Sequence, residues 1–324
     1  MSPVQHIYLS PHFDDVVLSC GGQIAQRTLE GKTVIVSTVF AGVPGQKTLS
    51  PFARAIHSQP GAPQDSVEGR RKENQDALDI LQAAWRPGLY LDCVYRKNAQ
   101  GKRWLYDSEE AIYGPVAAEE SELAMELAQV FASLAPAPTD CVLYASLAIG
   151  HHVDHQLVRD AALILHNQDY NVLFYEDYPS VIRDQDSLGF VLAEHETGSW
   201  IPEVVAINRA ALDRKIVAAR QFQSQVRAVF GPSRQVGEDL VGKALTEYAE
   251  QIAEATNSDQ YAERLWRPVG KIEPGPLQKV DVGPEQEAQT GTVETEPEEP
   301  EEPERSITQS PPTFVDRLRG IIGD

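Results

Sequence analysis

The stretch HIYLSPHFDDVVLSCGG, residues 6–22, decides the fold. Residues 6–10 form a short β-type run that stops at Pro11. The five residues Pro11-His12-Phe13-Asp14-Asp15 then place one imidazole and two carboxylates on the turn that follows. A helical pattern takes over, expected from about Leu18 to Glu30. Open α/β sheets collect their ligands beyond the carboxyl ends of the strands. A strand that empties into polar side chains at the mouth of a helix is therefore read as half of a site.

The same alternation continues outward. TVIVSTVF (33–40) is a near-continuous apolar run, as expected of a strand buried on both faces. A helix is expected over Ser66 to Ala84, a third strand over LYLDCVY (89–95) and a helix over Glu119 to Leu134. A fourth strand, CVLYASL (141–147), leads to a helix from His155 to His166, then to a fifth strand, NVLFYED (171–177). A further helix is expected from Ala210 to Val226. Strand and helix alternating at this spacing predict parallel βαβ units: a Rossmann-like, doubly wound, mostly parallel sheet with helices on both faces. Residues 41–65 and 96–118 break the pattern and read as loops beside the site.

Residues 1–267 are expected to be one domain. From Pro268 the composition changes: residues 268–324 hold 13 Asp/Glu against 5 Lys/Arg. The Glu/Pro repeat near 295–304 buries too little apolar surface to offset ordering entropy, so 268–312 is expected to be an acidic disordered linker. In residues 313–324, Phe314, Leu318, Ile321 and Ile322 share one helical face. This short amphipathic helix is expected either to dock a protein partner or to fold back on the protein itself.

With a net charge of −20 the chain is a poor match for nucleic acid, whose phosphates need a basic surface. Its three cysteines, Cys20, Cys93 and Cys141, show no paired spacing and read as small buried hydrophobes. No run approaches the length of a membrane span, and no apolar leader precedes His12. A cytoplasmic location is expected.

The second half of the site is His151-His152-Val153-Asp154-His155, after the fourth strand. Two strands meeting one crevice bring His12, Asp15 and His155 within reach of a single ion. Two histidines, one carboxylate and an open position make a catalytic zinc shell, whereas a structural site is closed by four protein ligands. The same donors also suit Fe(II). Asp14, beside the ion, is placed to take a proton from water. Each cluster alone reads more plainly as a capped helix start. Their positions at matching strand ends argue for a joint site.

These segments resemble a known family. SPHFDDVVLSCGG (10–22) is similar to the P-H-x-D-D segment of the LmbE/PIG-L deacetylases, HVDH (152–155) to their H-x-D-H signature, and RRKENQDAL (70–78) to their Arg-x-x-Glu helix start. The resemblance spans about His6 to Trp266. It implies His12, Asp15 and His155 as metal ligands and Asp14 as general base. It implies that His152 stabilises the oxyanion or protonates the leaving amine, with Asp154 as its partner. Arg70 is the candidate for gripping a substrate hydroxyl or phosphate. Arg71 is the second candidate, and a salt bridge to Glu73 is the alternative for either.

The implied reaction is hydrolysis of an N-acetyl group on an N-acetylglucosamine-type sugar conjugate. Val16 stands where many relatives have Glu, and Gly150 where some have an oxyanion-site Tyr. At the end of the fifth strand Asp177 is expected to line the pocket and bond sugar hydroxyls, with a turn cap as the alternative. Two rival readings are a metal hydrolase of a non-sugar amide and a scaffold that keeps a metal site without catalysis. A nucleotide-binding Rossmann enzyme is excluded: no GxGxxG follows the first strand, and PHFDD would repel a pyrophosphate.

Overall fold

The computed structural model describes residues 4–45, 49–58, 66–135, 137–183, 185–193, 199–231, 239–258 and 260–275. The expected helix at 313–324 and nearly all of the expected linker lie outside them. Packing continues past residue 267, because Ile272 is fully buried and Asn167 bonds both its N–H and its carbonyl.

One sheet holds β1 (Gln5–Ser10), β2 (Val34–Thr38), β3 (Ala84–Pro87), β4 (Cys141–Ser146), β5 (Val172–Tyr175), β6 (Ser199–Ala206) and β7 (Ala262–Val269). The order is β3-β2-β1-β4-β5-β7-β6. The first five strands are parallel, and β7 runs antiparallel to both β5 and β6. The chain winds outward from β1 to β3, then returns to β4 on the other side of β1. The crevice of this doubly wound sheet therefore opens between β1 and β4, the strands that carry the two His/Asp clusters.

Helices cover both faces. On one side, α1 (Asp15–Leu29), α3 (Ser66–Leu81), α9 (Arg209–Ala219), α10 (Gln223–Phe230) and α11 (Leu240–Ala255) share a core with Tyr8, Val36 and Tyr144. On the other, α5 (Leu123–Leu134), α6 (Val153–His166), α7 (Ser180–Arg183) and α8 (Gln185–Ala193) pack on Ile7, Leu9, Leu143 and Phe174. A satellite cluster joins α2 (Pro51–His57), α4 (Glu109–Ile112), the 3-10 turn at Cys93–Tyr95 and Val153 at the head of α6. It caps the end of the sheet where the crevice lies.

Two of the expected elements differ, and β6 and β7 come from a stretch with no expected strand. The third strand is Ala84–Pro87, not 89–95. Gln82 takes a left-handed φ of 58° that ends α3 early, and the chain enters the sheet almost at once. The apolar run 89–95 is real, but Cys93, Val94 and Tyr95 bury themselves in the satellite cluster. The helix expected over 210–226 is split into α9 and α10.

The Gly21-Gly22 pair of α1 has a packing reason. A Cβ at Gly21 would stand 2.8 Å from Lys215 Cγ, and one at Gly22 would stand 2.5 Å from Ile207 Cδ1. Only bare backbone lets α9 and β7 approach this closely. Lys215 and Glu263 form an ion pair of 2.7 Å there, with side chains 2% and 4% exposed. Glu263 also accepts from the N–H groups of Gly22 and Gln23.

Candidate metal centre and active site

The turn after β1 is built from its own polar groups. Ser10 Oγ donates to the His12 carbonyl at 2.6 Å and accepts from Val16 N–H. Asp15, the first residue of α1, accepts from His12 N–H at 2.7 Å through Oδ2. That oxygen also stands 3.3 Å from His12 Nδ1 and 3.3 Å from His155 Nε2.

His155 arrives from α6 and is fixed from behind: its Nδ1–H donates to Asp177 Oδ1 at 2.8 Å. Asp177 is held by Ser146 Oγ and by Ile149 N–H at 2.9 Å. His12 is fixed in the same way, its Nε2–H donating to Asp154 Oδ2 at 3.0 Å. Asp92 Oδ2 lies 3.8 Å from the same nitrogen.

Several donor triplets have ligating atoms within 4.8 Å of one another: His12 with His152 and His155, Cys93 with His152 and Asp154, and His12 with Asp92 and Asp154. Hydrogen bonding chooses among the donors. His152 caps α6, and its Nδ1 accepts from Asp154 N–H at 3.2 Å. Burial, then the neighbouring His12, hold its pKa well below the usual histidine range. With Nδ1 accepting a backbone N–H, a neutral His152 ring carries its proton on Nε2. Asp154 is committed to Arg96, Cys93 N–H and His12. His12 Nδ1 and His155 Nε2 keep their lone pairs, and each stands 3.3 Å from Asp15 Oδ2. Bonds of 2.0–2.1 Å in a tetrahedron separate ligand atoms by roughly 3.3 Å. Carboxylates behind both rings are the usual support for histidine ligands.

The electrostatics agree. Burial opposes charge on His155, yet Asp15 and Asp177 raise its pKa to about 10. Burial likewise opposes charge on His12, and Asp15, Asp154 and Asp92 outweigh it. The pocket is a negative field that calls for a cation.

Asp14 stands apart from this shell. It is buried, and its Oδ1 accepts from Arg70 Nη2 at 3.1 Å. Burial raises its pKa, opposed by Arg70 and reinforced by Asp15. Arg70 lies over the Phe13 ring, and its buried Nε has no hydrogen-bond partner among the described residues. The crevice thus gathers His12, Asp14, Asp15, Arg70, His152, Asp154 and His155.

Three of the expected residues make contacts other than those expected. Arg71 turns away, donating to the Ala41 carbonyl at 2.8 Å and lying over the Trp85 ring; Glu73 bonds Ser224 instead of either arginine. The Asp154 carboxylate accepts from His12, lies within 4.8 Å of a His152 ring nitrogen, and its backbone N–H bonds His152 Nδ1. Asp177 is 3% exposed and bonds His155, Ser146 and Ile149. Asp177→Asn is expected to weaken metal binding about 10–100-fold with KM unchanged once the metal is saturating. Chelator competition and steady-state kinetics check this; a raised KM with intact metal affinity would support the pocket-lining reading.

Asp92, Arg96 and Tyr113 were missed. Asp92 caps the 3-10 turn through Oδ1 and turns Oδ2 toward His12. Its signal was an acidic residue interrupting an apolar run. Tyr113 packs edge-on against the His152 ring, at 5.6 Å between centroids. No spacing in the sequence foretold it. Gly150 has a φ of 90° and sits against Ser180, so the fold has no room there for a tyrosine.

Residues 7–165 match the family described as PIG-L, GlcNAc-PI de-N-acetylase. The crystal structure of the zinc-inhibited form of teicoplanin deacetylase Orf2 superposes with a TM-score of 0.69 at 30% identity, over 82% of this chain and 98% of that one. The chain belongs to the PIG-L family. Within this PIG-L chain the matched segment runs from β1 to the last turn of α6 and contains both clusters. Two further PIG-L-like relatives are similar along almost their full length. The 2'-N-acetylparomamine deacetylase of Niallia circulans is 27% identical over 84% of this chain and 97% of its own. The A40926 pseudoaglycone deacetylase Dbv21 is 27% identical, with a TM-score of 0.65, over 84% of this chain and 99% of that one.

Proposed function

We propose that this enzyme, a sugar N-deacetylase, hydrolyses the acetamide of an N-acetylglucosamine-type residue within a larger conjugate, with zinc held by His12, Asp15 and His155. The observation that carries the reading is one crevice joining a two-histidine, one-carboxylate set to a separate buried carboxylate, Asp14, and a neutral N–H donor, His152. Similar chains are deacetylases of 2'-N-acetylparomamine and teicoplanin, which favours a sugar over a non-sugar amide.

Bound zinc would supply Lewis acidity to the acetamide carbonyl and to a water molecule. Asp14 takes the proton of the attacking water, with Arg70 keeping the carboxylate ionised in its buried seat. His152 donates Nε2–H to the oxygen on which negative charge develops. It has no free nitrogen to take up a further proton, so Asp14 returns the proton to the leaving amine. Arg70 and Asp92 are the side chains we assign to sugar hydroxyls.

The test is acetate release from N-acetylglucosaminyl conjugates, including aminoglycoside and glycopeptide examples. Chelator-stripped protein is expected to be inactive and to recover with about one equivalent of zinc. A related deacetylase has a zinc-inhibited form, so the titration starts below one equivalent. Metal-loaded protein that releases no acetate from any conjugate would overturn the assignment.

No helix among the described residues is long and apolar enough to cross a membrane. We place the enzyme in the cytoplasm because Cys20, Cys93 and Cys141 are all buried and free of disulfides. A docking role for residues 313–324 stays a proposal outside the described residues.

A further inference from the structure

Behind His12 the hydrogen bonds do not stop at Asp154. The second oxygen of that carboxylate accepts from Arg96 Nη1 at 2.6 Å. Arg96 grips Glu120 at its other edge, Nη2 donating to Oε2 at 3.0 Å and Nε standing 2.6 Å from Oε1. Glu120 accepts from Tyr106 O–H at 2.7 Å, and the Tyr106 oxygen accepts from Ala117 N–H at 2.9 Å. The guanidinium lies 5.0 Å from the Phe40 ring centroid and 5.2 Å from that of Tyr106. The Asp154, Arg96 and Glu120 side chains are 0%, 10% and 9% exposed. A planar fork stacked between rings and clamping a carboxylate at each edge is work for arginine; a lysine cannot reproduce it.

This chain of contacts runs from the ring of His12 into the irregular segment 96–120 that caps the crevice. We infer that Arg96 is a positioning residue for His12, and that Glu120 and Tyr106 couple the order of segment 96–120 to metal occupancy. The inference rests on the reading of His12 as a metal ligand. Arg96 on Oδ1 and Cys93 N–H on Oδ2 hold the Asp154 carboxylate against the His12 ring, and Arg96 is held in turn by Glu120. Binding free energies couple reciprocally. A metal that fixes His12 therefore steadies the segment, and a ligand that presses on the segment tightens the metal.

The experiment compares wild type, Arg96→Lys, Glu120→Gln and His12→Ala as full-length chains. Zinc affinity is read by competition with a chromogenic chelator. Amide hydrogen exchange over residues 96–117 is read with and without zinc. Expected are a zinc affinity about tenfold weaker in Arg96→Lys and Glu120→Gln, and exchange that zinc slows in wild type but not in Glu120→Gln. A merely structural role would lower melting temperature without breaking the link between zinc and exchange. If Arg96→Lys fails to fold, Glu120→Gln, which leaves the Arg96–Asp154 contact in place, decides alone. Unchanged zinc affinity in folded Glu120→Gln, with binding lost in His12→Ala, overturns the relay and leaves the ligand assignment standing. Undiminished binding in His12→Ala brings down both.

Discussion

Replacing Asp14 with Asn is expected to lower kcat/KM about a thousandfold, within the range that a positioned acid–base group commands, while zinc content stays at the wild-type level. Asn keeps the size of the side chain and an oxygen for Arg70 Nη2. The triangle of His12, Asp15 and His155 is left whole. Two proton transfers are lost together, because the group that takes a proton from water also returns it to the amine. Steady-state acetate release, with elemental analysis of the same preparation, measures both quantities. If zinc falls in step with activity, Asp14 belongs to the metal shell. If the loss is under tenfold, the base is another group, and Asp92, whose Oδ2 lies 3.8 Å from His12 Nε2, is the next carboxylate to replace.

The largest expected effect on stability lies away from the crevice. Lys215→Met should destabilise the protein by about 3–5 kcal/mol, seen as a fall in Tm of roughly 10 °C. The substitution leaves Glu263 charged, 4% exposed and without its cation, while the side chain still has to serve Gly22 and Gln23 N–H. Water cannot reach the carboxylate to compensate, and Gly21-Gly22 lets no other side chain approach from α1. Adding Glu263→Gln removes the stranded charge but keeps an acceptor for the helix. The double variant should therefore melt above Lys215→Met alone, and a double-mutant cycle gives the coupling. Equal melting temperatures for wild type and Lys215→Met would mean that the pair contributes nothing.

Much of the fold was legible because its informative parts are continuous in sequence. β1, β2, β4 and β5 each centre on a run of apolar residues, and each of the two clusters follows one of them. β3 was not legible. It has four residues, AWRP, whereas the stronger apolar signal at 89–95 belongs to packing under the cap. That error also hid Asp92.

Among the site residues, those defined by a local motif were found, and those defined by a partner were not. Arg70 and Arg71 are neighbours on one helix and point about 100° apart, so only one faces the crevice; composition could not say which. Asp154 and Asp177 were noticed as carboxylates in the right places. Which imidazole each one holds depends on contacts 142 and 22 residues away in sequence.

The topology also sets how this enzyme can be altered. The proposed ligands stand on the turn and helix that follow β1 and on the helix after β4, and β1 and β4 are neighbouring strands in the middle of the sheet. The irregular cover is inserted after β2 and β3, toward one edge. Evolution or an engineer can therefore exchange pieces of that cover to change what is accepted without rebuilding the reaction centre. The permitted cuts are narrow, because residues 92–96, Tyr106 and Glu120 belong to the centre as much as to the cover. A graft that respects those anchor points transfers specificity. One that replaces the whole insertion also discards part of the machinery it was meant to redirect.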